Sequence, residues 1–231
     1  MKVLVFGDTH ADVESLLEVY EKSKEADVII FLGDLTYFGE GMELVDIIAK
    51  FPRKVIMMYG NHEHKEHMKS ACEPHENLHF SDQEIISIDD FDIITYGGGG
   101  FNHIDEQFEL FIEEVKKHIR NPNKTIIIFH APPYNTKLDI PFSDYHSGTL
   151  SFREALEDIQ PLASFAGHIH EGEEKYDLIG DTLIHNPGPK GTIIDLNDLH
   201  DKRLKNKIKE FVELKNIPKA KKIIGSKSKR F

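Results

Sequence analysis

Five short stretches place acids, amides and imidazoles where an apolar run stops. They are Gly7-Asp8-Thr9-His10, Gly33-Asp34, Gly60-Asn61-His62-Glu63, His130 after IIIF, and Gly167-His168-Ile169-His170. Asp8 and His10 are two apart, as are His168 and His170, so in extended backbone each pair projects to one side. If the stretches meet, Asp8, His10, Asp34, Asn61, His62, His130, His168 and His170 share one cleft. Carboxylate, amide oxygen and imidazole without thiolate suit borderline divalent ions such as Mn, Fe, Zn, Co or Ni rather than calcium. The set is too large for one catalytic ion that keeps a position open, and it suits two. A central Asp has two oxygens and can bridge ions held ~3.5–4 Å apart.

The elements that must position these residues can be read from apolar periodicity. VLVF (3–6), DVIIFLGD (27–34) and KVIMMYGN (54–61) are continuous β-branched runs bounded by Gly or Asp. Between them, Val13-Leu16-Leu17-Val19-Tyr20 and Met42-Leu44-Val45-Ile47-Ile48 carry helical spacing. Buried strands alternating with amphipathic helices predict a parallel or mixed sheet covered on both faces. Further on, EIISI (84–88) and FDIITYGGGG (91–100) predict a short-linked strand pair, followed by a helix over 105–119. TIIIFH (125–130) is another buried strand, residues 151–159 a short helix, and strand-like pieces recur in 162–170, 175–179, 182–185 and 191–196. In such sheets ligands gather beyond the carboxyl ends of the strands, which is where all five stretches fall.

Bulk properties bound the alternatives. The longest apolar runs are strand-sized, far below the ~18 residues of a membrane helix, so no membrane partner is expected. The single Cys72 excludes an internal disulfide framework and a Cys-based zinc site. With no small-residue cleavage site behind MKVLVFGDTH, the cytoplasm is the expected compartment. Charge is uneven: residues 201–231 hold 12 Lys/Arg against 3 Asp/Glu, a net of +9, whereas the remainder holds 16 against 37, a net of −21. An acidic body disfavours nonspecific binding to long nucleic acid. The segmentation predicted is a body over 1–198 and a basic C-terminal helix and tail over 199–231. Leu199, Leu204, Ile208, Phe211, Val212 and Leu214 form its apolar stripe, and Pro218 ends it. Nucleic acid enters only as a possible partner of that tail.

The order D-x-H, GD, GNHE, a lone His after a strand, and GHxH resembles the calcineurin-like metallophosphoesterase superfamily over residues 8–170. The resemblance implies a four-layer α/β/β/α sandwich with two mixed sheets. It also implies that Asp8, His10 and His170 hold a first metal, that Asp34 bridges, and that Asn61, His130 and His168 hold a second. His62 is then the proton donor or phosphate contact, and Glu63 orients a histidine from behind. The expected activity is a dinuclear metal-dependent phosphoesterase, foremost a phosphodiesterase, acting on a small phosphodiester or nucleotide by in-line attack of a metal-bridging hydroxide. A catalytically weak scaffold and a nuclease using the basic tail are the alternatives. Neither the oligomeric state, for which a homo-oligomer is possible, nor the metal identity follows from the sequence.

Residues beyond the motif are weaker candidates. The loop 131–148, APPYNTKLDIPFSDYHSG, is long for a connection without its own structure, which often marks function. It offers Tyr134, Lys137, Tyr145 and His146 as substrate contacts. His103 follows the Gly97–Gly100 run and is placed near the same cleft. Lys190, in the HNPGPKG turn, is a speculative phosphate contact. His64 and His67 have helical spacing and are expected on an exposed helix face.

Overall fold

A computed structural model describes residues 1–216. Two sheets form its centre. The first uses β1 (Lys2–Phe6), β2 (Val28–Phe31), β3 (Val55–Met57) and β4 (Leu78–Phe80), all parallel, with a final strand, β11 (Thr192–Asp195), antiparallel to β1. The second runs in the order β5 (Glu84–Ile88), β6 (Phe91–Tyr96), β7 (Thr125–Phe129), β8 (Ala163–Phe165), β10 (Thr182–His185), β9 (Tyr176–Ile179). Its outer pairs are antiparallel and its inner ones parallel. Both sheets are therefore mixed, as the resemblance implies.

Period-two alternation makes four layers. Val3, Val5, Ile30 and Ile56 of the first sheet face Ile93, Ile126, Ile128 and Phe165 of the second in one inter-sheet core. The alternate residues, Leu4, Phe6, Ile29 and Met57, face outward and are covered by helices α1 (Val13–Ser23), α2 (Val45–Ile48) and α3 (Lys65–Cys72). On the far side, Ile94, Ile127 and Phe129 are covered by α4 (Glu106–Lys116) and α5 (Leu150–Ile159), with Phe129 stacked on Phe152 at 4.1 Å. Each such fully buried aromatic contributes ~1.5–3 kcal/mol. Because β2, β3 and β7 are buried on both faces, they appear in the sequence as nearly unbroken apolar runs.

Three expectations change. β4 is absent from the sequence reading because it is three residues long and only Leu78 is buried. The helix expected over 105–119 ends at Lys116. The C-terminal stripe is two helices, α6 (Leu196–Leu204) and α7 (Ile208–Lys215), separated at Asn206, whose φ is +53°. Asn tolerates that left-handed conformation, which a continuing helix does not contain. Leu199, Ile208 and Val212 enter the inter-sheet core, whereas Leu204 and Leu214 are exposed. Asn216 hydrogen-bonds both backbone groups of Tyr176, tying α7 to β9. The stop expected at Pro218 and the cationic end of the tail lie outside the described residues.

Candidate metal centre

The loops leaving β1, β2, β3, β7 and β8 meet at one end of the sandwich and hydrogen-bond to each other. Asp8 N–H donates to Gly33 O at 2.9 Å, His10 N–H to Asp34 O at 3.0 Å and Gly167 N–H to His130 O at 2.8 Å. Asp8, His10, Asp34 and His168 all have φ between +43° and +67°, a region few non-glycine residues occupy and one that clusters at functional sites. Two glycines are required by close approach. A Cβ on Gly60 would lie 2.0 Å from Asp34 Oδ1, and one on Gly167 would lie 2.1 Å from Asp8 Oδ2.

The side chains so placed form three overlapping donor groups, each with ligand atoms within 4.8 Å of one another. They are Asp8, His10 and His170; His10, Asp34 and His62; and Asp34, His130 and His168. Asp34 joins the second and third. Its Oδ2 is 3.4 Å from His130 Nε2 and 3.9 Å from both His10 Nε2 and His62 Nε2. Asn61 Oδ1 lies 2.9 Å from His130 Nε2, and His10 Nε2 is 3.0 Å from His170 Nε2.

Backbone groups behind the imidazoles decide whether the nitrogen facing the centre carries the proton. His130 Nδ1 points at Leu32 O at 3.0 Å and His10 Nδ1 at Thr36 O at 3.3 Å. A carbonyl only accepts, so Nδ1 carries the proton and Nε2 is the nitrogen left to ligate. His62 is wired the other way. Phe38 N–H donates to its Nδ1 at 3.2 Å, so the neutral ring keeps its proton on Nε2, which points inward. His168 Nε2 is buried and has no hydrogen-bond partner among the described residues. A buried orphan nitrogen beside carboxylates fits a metal ligand, and the oxygen and imidazole donor set fits two divalent transition-metal ions.

Electrostatics follow from the same packing. Burial pushes Asp8 up to about 6 against the attraction of His130. Burial would also raise Asp34, but His130 and the His62 N–H hold it well below the usual carboxylate range. His130 loses by burial and gains more from Asp34 and Asp8, reaching about 9. Burial and neighbouring His130 push His168 down to about 3.

Glu63 has a different task from the one expected. It touches no imidazole by hydrogen bond; its two oxygens accept from the backbone N–H groups of Asp34, Thr36 and Gly60 and from the Thr36 hydroxyl, at 2.8–3.0 Å. It thus clamps the β2 and β3 loops that carry Asp34 and Asn61. His103, Tyr134 and His146 are brought together, the Tyr134 ring lying 4.7 Å from His103 and 5.9 Å from His146 between centroids. His103 and His146 line a chamber beside the centre. Lys137 is not brought in; its ammonium lies 3.7 Å from Asp177. Lys190 pairs with Glu18 at 2.6 Å. His64 and His67 lie at the exposed start of α3, as expected.

Sequence reasoning missed two kinds of residue. Asp139, fully buried, accepts from the N–H groups of Asn135, Thr136 and Gly148 and pairs with His146 at 2.6 Å, giving the 131–148 loop its shape. Phe38 and Phe101 pack on His62 and His168 while remaining 69% and 67% exposed. The Gly-rich surroundings of both were the available signal.

A model of the calcineurin-like phosphoesterase family matches residues 1–172. The chain belongs to that family. This calcineurin-like phosphoesterase is 29% identical over 204 residues to an uncharacterized protein, MJ1162, of Methanocaldococcus jannaschii, covering 84% of this chain and 91% of that one. Among solved structures it is similar to TT1561 of Thermus thermophilus, with a TM-score of 0.69 at 14% identity, covering 86% of this chain and 95% of that one. It is also similar to a dimetal phosphatase from Danio rerio, with a TM-score of 0.55 at 13% identity, covering 80% and 86%. At such identities the likeness is one of fold. No helix among the described residues is long and apolar enough to cross a membrane.

Proposed function

We propose that this phosphoesterase is a dinuclear phosphodiesterase acting on a small phosphodiester or nucleotide. The observation that supports the reading is the Asp34 carboxylate, whose Oδ2 lies 3.4 Å from His130 Nε2 and 3.9 Å from His10 Nε2, between the ligands assigned to the two ions. Asp8, His10 and His170 hold one ion, Asn61, His130 and His168 the other. When bound, two divalent ions supply Lewis acidity to a phosphoryl oxygen and make a water acidic enough to serve as nucleophile near neutral pH.

The chain's own residues supply the rest. Leu32 O and Thr36 O hold His130 and His10 with Nε2 inward, so that no tautomer change is needed for ligation. His62, with its Nδ1 occupied by the Phe38 N–H, presents Nε2–H to the leaving oxygen and stabilises by hydrogen bonding the negative charge that develops there. Loss of one such donor costs ~10²–10³ in rate. Glu63 keeps the loops of Asp34 and Asn61 in register. In this reading residues 1–198 hold every catalytic side chain, and the described part of 199–231 packs on the same core through Leu199, Ile208 and Val212. A cytoplasmic setting is supported by the lone thiol, Cys72, whose burial raises it to about 12 and leaves it inert.

The test is hydrolysis of bis-p-nitrophenyl phosphate by the full chain with added Mn²⁺, Ni²⁺, Co²⁺ or Zn²⁺, together with metal analysis. Two ions per chain and metal-dependent turnover are expected. In the same assay His62→Ala retains both ions and loses more rate on an alkyl leaving group than on p-nitrophenolate, which departs without a proton. Folded protein with no turnover under any metal would remove the reading.

A further inference from the structure

We propose that Phe38 is a specificity-determining wall of this cleft and that the ester group departing beside His62 is a flat aromatic one. The proposal rests on the phosphodiesterase reading above and names the substrate class for the same site.

Phe38 occupies a costly position. Its φ is +51°, a conformation that costs a bulky residue ~1–2 kcal/mol. It recovers little by burial, being 69% exposed. Its backbone N–H is directed at His62 Nδ1. Its ring lies nearly parallel to the His62 imidazole, with centroids 4.0 Å apart and planes 20° apart. One face of the phenyl ring is thus covered by His62 and the other is open. Tyr37 stands edge-on to it at 5.2 Å. His62 must lie within hydrogen-bond reach of the leaving oxygen, so the group attached to that oxygen lies beside Phe38. A flat group there would complete a stack of imidazole, phenyl and ligand.

The spaces around the centre suit such a substrate. The metal cleft, 570 Å³, adjoins a 350 Å³ chamber across Phe38 and a 270 Å³ chamber across Phe101. Two side chambers match the two arms of a diester. Among the described residues, none of the side chains lining the three is a lysine or arginine. Beyond the ions at the centre, polyphosphates and nucleic acid strands, whose affinity comes from phosphate neutralisation, find no side-chain counter-charge in that lining. Aromatic faces hold flat rings without charge.

The flat group has two sources, a simple aryl ring or a nucleobase, and the experiment separates them. Full-chain, manganese-loaded protein is assayed on two matched pairs, with the released alcohol identified. The first is phenyl methyl phosphate against hexafluoroisopropyl methyl phosphate, whose leaving groups are of similar acidity but only one of which is flat. The second is adenosine 5′-methyl phosphate against ribose 5-methyl phosphate. The flat member of at least one pair is expected to have a kcat/KM about tenfold higher, the scale of one stacked ring. Phe38→Ala and Phe38→Leu are each expected to collapse that ratio to within about twofold of unity. A ratio that survives both substitutions overturns the proposal. So does an equal loss on both members, which would leave Phe38 as a positioning residue for His62. Turnover without any flat-group preference in the unaltered protein removes this proposal alone. No turnover of either pair or of bis-p-nitrophenyl phosphate removes the phosphodiesterase reading and this proposal with it.

Discussion

Two histidines close two strands of the same sheet in almost the same words. His130 follows TIIIF at the end of β7, and His185 ends TLIH in β10. Both are fully buried. His185 is packed as a neutral core residue: its Nδ1 donates to Lys175 O at 2.9 Å, its Nε2 accepts from the Thr192 hydroxyl at 3.0 Å, and Tyr176 stacks on it at 3.7 Å. Burial pushes it down to about 3. His130 likewise has a backbone carbonyl, Leu32 O, behind its Nδ1 but faces Asp34 and Asp8, which raise it to about 9. Burial alone makes a histidine neutral and inert; burial beside carboxylates makes it a group that a metal ion can relieve.

Substitutions can break the comparison. His130→Ala is expected to lower metal-dependent activity by more than ~100-fold and to weaken one of the two ions, measured by steady-state kinetics and metal analysis. His185→Leu should do the reverse. It removes the ring partner of the Thr192 hydroxyl and one of the two donors to Lys175 O, the Asn186 N–H remaining, and costs ~1–3 kcal/mol in urea unfolding while the metal content of the unaltered protein is kept. Metal loss from the His185 variant, or a purely stability effect from the His130 variant, would erase the distinction.

A finer test uses pH on metal-free protein. His185 has a folded-state pKa below the unfolded 6.5, so the unfolded chain binds its proton first. Its contribution to stability is intact above about 6.5 and is lost as pH falls toward about 3. His130 has a raised folded-state pKa, so its contribution is intact below 6.5 and is lost as pH rises through about 9. His185→Leu should therefore flatten the acid limb of the stability curve and His130→Ala the alkaline limb. Each change is at most about 1.4 kcal/mol per pH unit, the value for one proton. Effects on the same limb from both variants would contradict the opposed environments.

The core strands and the loops of the candidate centre were legible in the sequence because buried strands write themselves as apolar runs, and because residue types that bind metals are rarely spent at five strand ends in one chain. What was illegible depended on partners far away along the chain. Glu63 stood in the motif, but its backbone clamp across 27 and 29 residues did not. Asp139 could not be told from any loop acid, nor Lys137 be seen to turn toward Asp177. The aromatic rim of Phe38 and Phe101 was hidden because an exposed phenylalanine in a Gly-rich loop has no periodicity to betray it.

Sequence by itself determined the buried strands, the helices that cover them and the order of the candidate ligands, since patterning and side-chain chemistry are local properties of the chain. The four-layer arrangement was what the family resemblance implies. Tertiary structure alone decided whether the Nε2 that His10, His130 and His62 turn inward is bare or carries the proton. That choice is made by whether a distant backbone group offers a carbonyl, as Leu32 does to His130, or an N–H, as Phe38 does to His62. A hydrogen-bond partner supplied by folding has no signature at the residue it controls.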